Sequence, residues 1–139
     1  MSQSPPASYE IARRTMVANR SRNTSPELML RRALWRAGVR GYRLHSRTLP
    51  GRPDVSFSRK KVAVFVHGCW WHGCPHCGRY RTPKANTEYW VDKLIRNKKR
   101  DAVASEKLTD MGFEVVIVWE CEVKRDLDQV VSAIVTRLA

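Results

Sequence analysis

Four cysteines stand out by type and spacing. Cys69, Cys74 and Cys77 form a C-x4-C-x2-C run, and Cys121 follows in Trp119–Glu120–Cys121. The chain opens MSQSPPASYE, with neither the basic start nor the apolar core of a secretory signal, so it reads as intracellular, where thiols stay reduced. Inert core thiols would sit among apolar neighbours, whereas Cys74 and Cys77 sit among Gly, Pro and His. A C-x2-C clamp lets two thiolates reach one tetrahedral ion, and four thiolates close its shell. The pattern therefore predicts a structural Zn²⁺ on Cys69, Cys74, Cys77 and Cys121, with His76 as the rival ligand.

Asp54 follows Pro53 at the start of an extended stretch. A carboxylate at one strand end, near the end of another strand, is a common way to hold Mg²⁺ beside a phosphate. A Pro–Asp pair alone equally marks a capped turn. His67 and His72 bracket Gly68–Cys69–Trp70–Trp71, and His45 reads as an ordinary surface or core histidine. Trp70 and Trp71 either pack in the core or present aromatic faces from a Gly-flanked loop.

The chain carries 26 Lys and Arg against 13 Asp and Glu, a net charge of +13 with a pI near 10.3. So basic a chain of 139 residues points to a polyanionic partner, by default nucleic acid. No apolar run is longer than Val62–Val66, far short of the ~20 residues a membrane helix needs, so no membrane partner is expected. Residues 1–23 are rich in Ser, Pro, Arg and Asn. They read as a basic arm without fixed structure until Arg13, Arg14, Arg20 and Arg22 meet DNA phosphates. Residues 24–139 form the folded domain.

The elements that must position these groups are legible in outline. Thr24–Ser25–Pro26–Glu27 marks a helix start, as a capping box on Thr24 and Glu27 or as an N-cap Ser25 before proline. Leu30, Ala33, Leu34 and Ala37 make its apolar stripe, and Gly38 ends it in the left-handed conformation. Short strands are expected at Tyr42–Leu44 and Val55–Phe57, separated by the turn-forming Leu49–Pro53 run. Val62–Val66 and Phe113–Trp119 are continuously apolar and β-branched, as in strands buried on both faces. Residues 67–86 read as a loop, and one of that length inside a compact domain needs a reason, such as function or a metal. A helix is expected from Thr87 to Met111, with Val91, Leu94, Ile95 and Leu108 inward and Lys93, Arg96, Lys98, Lys99 and Arg100 outward. A last short helix is expected over Asp128–Leu138. The order α, β, β, β, α, β, α predicts an α/β fold, a mixed central sheet flanked by helices.

The runs LPGRPD (Leu49–Asp54), VFVHGCWWH (Val64–His72), PKANTEYW (Pro83–Trp90) and VIVWEC (Val116–Cys121) together resemble the very short patch repair (Vsr) DNA mismatch endonucleases, over about residues 13–122. The resemblance implies a restriction-endonuclease-like core, αβββαβ, which agrees with the order read from the elements. It implies that Asp54 binds the catalytic metal and that His72 is a general base or a transition-state proton donor. By the same resemblance His67 and Glu27 organise water and the scissile phosphate. Cys69, Cys77 and Cys121 match zinc ligands, and Cys74 stands where others have a His ligand, an all-Cys variant. Val66 replaces a Thr whose position offers a backbone carbonyl to Mg²⁺. Trp70 and Trp71 match an aromatic wedge beside the mismatch, and Met16 matches an arm residue inserted from the other groove.

The function expected from this resemblance is Mg²⁺-dependent nicking of one strand of double-stranded DNA at a T:G mismatch, leaving a 5′-phosphate and a 3′-hydroxyl. It further implies a bacterial, cytoplasmic, nucleoid-associated enzyme, with a DNA cytosine methyltransferase and mismatch-repair proteins as partners. Two rival readings use the same charge and cysteines: a zinc-stapled DNA-binding module without nuclease activity, and a restriction-type nuclease that cuts both strands.

Overall fold

The computed structural model describes residues 24–72, 74–75 and 84–139. The basic arm with Arg13, Arg14, Met16, Arg20 and Arg22 lies outside the described residues, as do His76 and Cys77. The elements are α1 (Ser25–Arg36), β1 (Arg43–Leu44), β2 (Val55–Phe57), β3 (Val62–His67), α2 (Cys69–His72), α3 (Thr87–Asp110), β4 (Glu114–Trp119), α4 (Glu120–Arg125) and α5 (Leu127–Leu138). The sheet order is β1-β2-β3-β4, antiparallel between the first two pairs and parallel between β3 and β4. The chain is thus mixed α/β, as expected.

Strand alternation sorts the core into two layers. Val62 and Val64 of β3, with Val116 and Val118 of β4, face Leu30 and Leu34 of α1, Val123 of α4, and Val130 and Ile134 of α5. Ala63 and Phe65 turn to the opposite face, where Leu108 of α3 and Phe113 cover them. Both faces of β3 are therefore covered, while β4 buries Val116 and Val118 on one face and half-buries Val115 and Ile117 on the other, which accounts for their continuous β-branched composition. No helix among the described residues is long and apolar enough to cross a membrane.

Several local expectations need correction. Thr24 is the N-cap of α1, yet no side-chain capping bond forms there. Glu27, the other half of the expected capping box, is buried and faces His45 instead. At the other end Gly38 has φ 84°; its N–H donates to the Trp35 carbonyl and that of Val39 to Leu34. This is a Schellman stop, with Val39 packed on the core beside Leu34. Ala37 is exposed, outside the stripe assigned to it. Ile95 is also exposed, at 46% of its surface, because the inward face of α3 runs through Trp90, Ala104 and Leu108 instead. The expected loop begins with a helical turn, α2, and the C-terminal helix is preceded by a separate one, α4.

The Leu49–Pro53 turn carries the chain into β2. Arg52 N–H donates to the Leu49 carbonyl at 3.2 Å, and Gly51 sits at φ 75°. A Cβ on Gly51 would lie 2.7 Å from the Cβ of Ala104 and 3.2 Å from the Phe65 ring. Only glycine lets this turn press onto α3 and β3. Gly51→Ala should cost roughly 1–3 kcal/mol through overpacking and the unfavourable φ. Urea unfolding of the variant checks this; unchanged stability would mean the turn does not need the close approach.

Candidate active site and thiolate cluster

The groups singled out by residue type gather where β3 and β4 end together. His67 pairs with Trp119 at the last rung of the parallel ladder. The antiparallel β2 begins where β3 ends, so Asp54 arrives at the same edge. Among the described residues, three clusters of ligand-type side chains lie there, each with donor atoms within 4.8 Å of one another: Glu27, His45 and Asp54; His67, His72 and Asp101; and Cys69, Cys74 and Cys121.

In the first cluster, Asp54 Oδ2 accepts a 2.7 Å hydrogen bond from the backbone N–H of Val66. That bond fixes the carboxylate against β3. Glu27 comes from the first turn of α1; its Oε2 lies 3.3 Å from the Arg31 guanidinium and 2.6 Å from His45 Nε2. Burial, with the charge of Glu27 added, pushes the Asp54 carboxyl up to about 7 despite the Val66 bond. Two buried acids this close favour a cation between them, and an oxygen-rich set of this kind suits a hard divalent ion such as Mg²⁺.

The second cluster stands on β3, α2 and α3. The His67 and His72 rings stack at 3.9 Å with 8° between their planes. His72 Nδ1 lies 2.7 Å from Asp101 Oδ2. An ionised carboxylate only accepts, so Nδ1 carries the proton and Nε2 presents its lone pair. This is the tautomer a general base needs. His67 is buried under the Trp119 ring, 5.3 Å away and edge-on. Burial, with the charge of His72 added, lowers its pKa to about 4, against a weaker opposing pull from Asp101.

In the third cluster, Cys74 Sγ and Cys121 Sγ are 3.7 Å apart, and the Cys121 N–H donates to Cys69 Sγ at 3.3 Å. All three cysteines are buried and outside any disulfide. Thiolates on one tetrahedral Zn²⁺ at ~2.3 Å stand about 3.8 Å apart, so the observed spacing fits an ion and not a disulfide. Two ligands come from the start of α2 and just beyond it, and one from the first turn of α4. The cluster therefore ties the ends of β3 and β4 together.

Among the expected site residues, Glu27, Asp54, Val66, His67, His72, Cys69, Cys74 and Cys121 all lie at this edge. Trp70 and Trp71 lie in the helical turn α2, between Cys69 and His72, rather than in a loop. Two members had no place in the sequence expectations. His45 had read as an ordinary histidine, and Asp101 is one more charge on a highly charged helix. The signal for Asp101 is positional only: it lies on the helix that returns the chain to β4.

Residues 8–79 match the family profile described as DNA mismatch endonuclease Vsr. A type II nicking enzyme of Lentzea aerocolonigenes is 43% identical over 130 residues, covering 90% of this chain and 75% of that one. A type II nicking enzyme of Neisseria meningitidis is 39% identical over 109 residues, covering 78% and 76%. The DNA mismatch endonuclease Vsr of Escherichia coli is 35% identical over 111 residues, covering 80% and 70%.

His67 makes the fold acid-sensitive in a stated direction. Its pKa is lowered from 6.5 to about 4 in the folded chain. The unfolded chain therefore binds the extra proton first, and stability present above pH 6.5 is lost as pH falls toward 4. At about pH 5 the loss from this group is on the order of 2 kcal/mol. Urea unfolding at about pH 7 and about pH 5 should show a smaller acid loss in His67→Gln than in the parent chain. Equal losses would mean His67 is not the group responsible.

Proposed function

The chain belongs to the DNA mismatch endonuclease Vsr family, and from that membership we propose that it nicks one strand of duplex DNA at a T:G mismatch in a Mg²⁺-dependent reaction. The observation that carries the reading is the convergence at one sheet edge. A carboxylate locked to Val66 N–H sits beside a second buried carboxylate, and the next residue along β3 begins the His67–His72–Asp101 cluster.

Asp54 and Glu27 would hold the Mg²⁺, with the Val66 carbonyl a further donor at the same strand end. Bound there, the ion would neutralise charge on the scissile phosphate and the leaving oxygen. The chain's own part is proton transfer and positioning. His72 Nε2 takes a proton from the attacking water, and Asp101 holds the ring in the acceptor tautomer and offsets the charge that develops on it. His67, stacked on His72, keeps that ring in place and stays neutral near neutral pH.

Cys69, Cys74 and Cys121, with Cys77 as the fourth ligand, would hold a structural Zn²⁺. Trp70 and Trp71, between a zinc ligand and His72, would wedge into the duplex at the wobble pair, where unstacking costs least. The exposed Arg96, Lys98, Lys99 and Arg100 of α3, together with Met16, Arg13, Arg14, Arg20 and Arg22 of the arm, would supply contacts to DNA. DNA is the substrate this reading requires; a cytosine methyltransferase and mismatch-repair proteins remain its proposed partners.

A nicking assay on supercoiled and mismatched duplexes tests the reaction. Nicked, not linear, product is expected, with T:G cut in preference to paired DNA. Asp54→Ala should abolish Mg²⁺-dependent nicking while leaving DNA binding intact, and His72→Ala should slow it roughly 10²–10⁴-fold. Trp70→Ala and Trp71→Ala should lower the preference for the mismatch but not nonspecific binding. Wild-type nicking by Asp54→Ala would remove this site from the chemistry, and linearised plasmid would favour a two-strand nuclease.

Zinc has its own readout. About one Zn²⁺ per chain is expected by elemental analysis, and structural zinc supplies roughly 10–16 kcal/mol of apparent binding energy. Cys121→Ala should therefore give poorly folded protein rather than a slow enzyme. A folded chain free of zinc with four titratable thiols would refute the ligand set.

A further inference from the structure

His45 follows β1 and continues the β1–β2 ladder by one rung, its N–H donating to the Asp54 carbonyl at 3.3 Å. Its φ is 49°, in the left-handed region that residues with a Cβ seldom adopt. The imidazole turns inward from that backbone. Nε2 lies 2.6 Å from Glu27 Oε2 and 3.9 Å from Asp54 Oδ1. This nitrogen is buried, and no acceptor stands in line with it, because the Glu27 oxygen is close but off the hydrogen-bond direction. A buried nitrogen left out of line with its nearest acid is poorly used as a donor. As the unprotonated nitrogen of a neutral ring, it would instead offer its lone pair as a ligand.

We infer that His45 Nε2 is a nitrogen ligand to the divalent cation held by Glu27 and Asp54. The inference rests on the reading of that pair as a cation site and adds a third donor to it. The donor set becomes two carboxylates and one imidazole, close enough together for one ion to touch all three. Replacing an oxygen donor by imidazole favours first-row transition ions over Mg²⁺ and Ca²⁺. The site should therefore bind Mn²⁺ more tightly than Mg²⁺ by a margin that depends on His45. The left-handed backbone then has a reason: it brings the ring of an edge residue over the two acids.

Pulsed electron paramagnetic resonance of Mn²⁺ bound to the zinc-loaded chain tests this independently of catalysis. Histidine-selective nitrogen isotope labelling should change a nitrogen coupling in the spectrum. That coupling should survive His72→Ala and disappear in His45→Asn, with Mn²⁺ affinity lowered at least as far as loss of an outer-shell partner would lower it, roughly 10- to 100-fold. His45→Gln serves the same purpose if the asparagine variant does not fold. Mn²⁺ bound in an Asp54-dependent way but with no histidine coupling, or with a coupling that persists without His45, would overturn the inference and leave the cation reading standing. Failure of Asp54→Ala to alter Mn²⁺ binding would overturn both, while the nicking assay judges the reaction separately.

Discussion

The parallel pairing of β3 with β4 is the constraint on which the site depends. Six residues of each strand run side by side, from Val62 with Glu114 to His67 with Trp119. Because the strands share a direction, both leave the sheet at one edge. The segments that continue from the two strands are therefore placed together, though some 50 residues separate them in sequence: Cys69 and Cys74 after β3, Cys121 after β4. An antiparallel pair would have sent these ends to opposite sides. The antiparallel β2 adds the complementary service. Its start lies against the end of β3, so Asp54 meets Val66 without any loop reaching across the sheet. The geometry is a consequence of strand direction, and the buried valines that hold the register also hold the chemistry.

Electrostatics at that edge work against the bare fold. Glu27 is almost fully buried and Asp54 nearly so. Arg31 and His45 lie beside Glu27, but burial still raises the Asp54 carboxyl to about 7. A chain with a net charge of +13 has cations in plenty, so a pair of acids held inside at this strand end is a local choice. Buried carboxylates persist where a cation or a proton answers them. On the proposed reading the cation is the metal of the reaction, and the cost of holding the acids in place is met when it binds.

The sequence made the skeleton legible and left part of the site hidden, for physical reasons. Val55–Phe57 matches the expectation residue for residue, and the two long strands differ by one residue each, because a fully buried strand advertises itself in β-branched runs. Gly38 stops α1 as read, because the left-handed stop is a local property. Glu27 misled as a capping residue: the same spacing serves a capping box or an inward carboxylate, and only the neighbouring strand decides. His45 and Asp101 carried no local signal. Each acts through a partner far along the chain, Glu27 for one and His72 for the other. Ile95 erred for a related reason, since a long basic helix offers more apolar positions than the sheet can cover. Local pattern reports burial and turns; it is silent on which two distant side chains meet.

The two proposed metals would be sorted by the chemistry of their donors. Soft thiolates with a backbone N–H directed at one sulfur suit Zn²⁺ and leave it a closed shell. Carboxylates suit a hard ion that keeps positions for water and phosphate. The same end of the sheet can hold both, because one set would close its ion's shell with sulfur and the other would leave positions open. Their proximity also couples stability to function. The cysteines fix the ends of β3 and β4, α2 hangs between Cys69 and Cys74, and α2 ends on His72. Loss of the thiolate cluster would release the turn that carries His72, and with it the 2.7 Å contact to Asp101 that sets its tautomer. A closed metal site that performs no chemistry would then govern the aim of the residue that does.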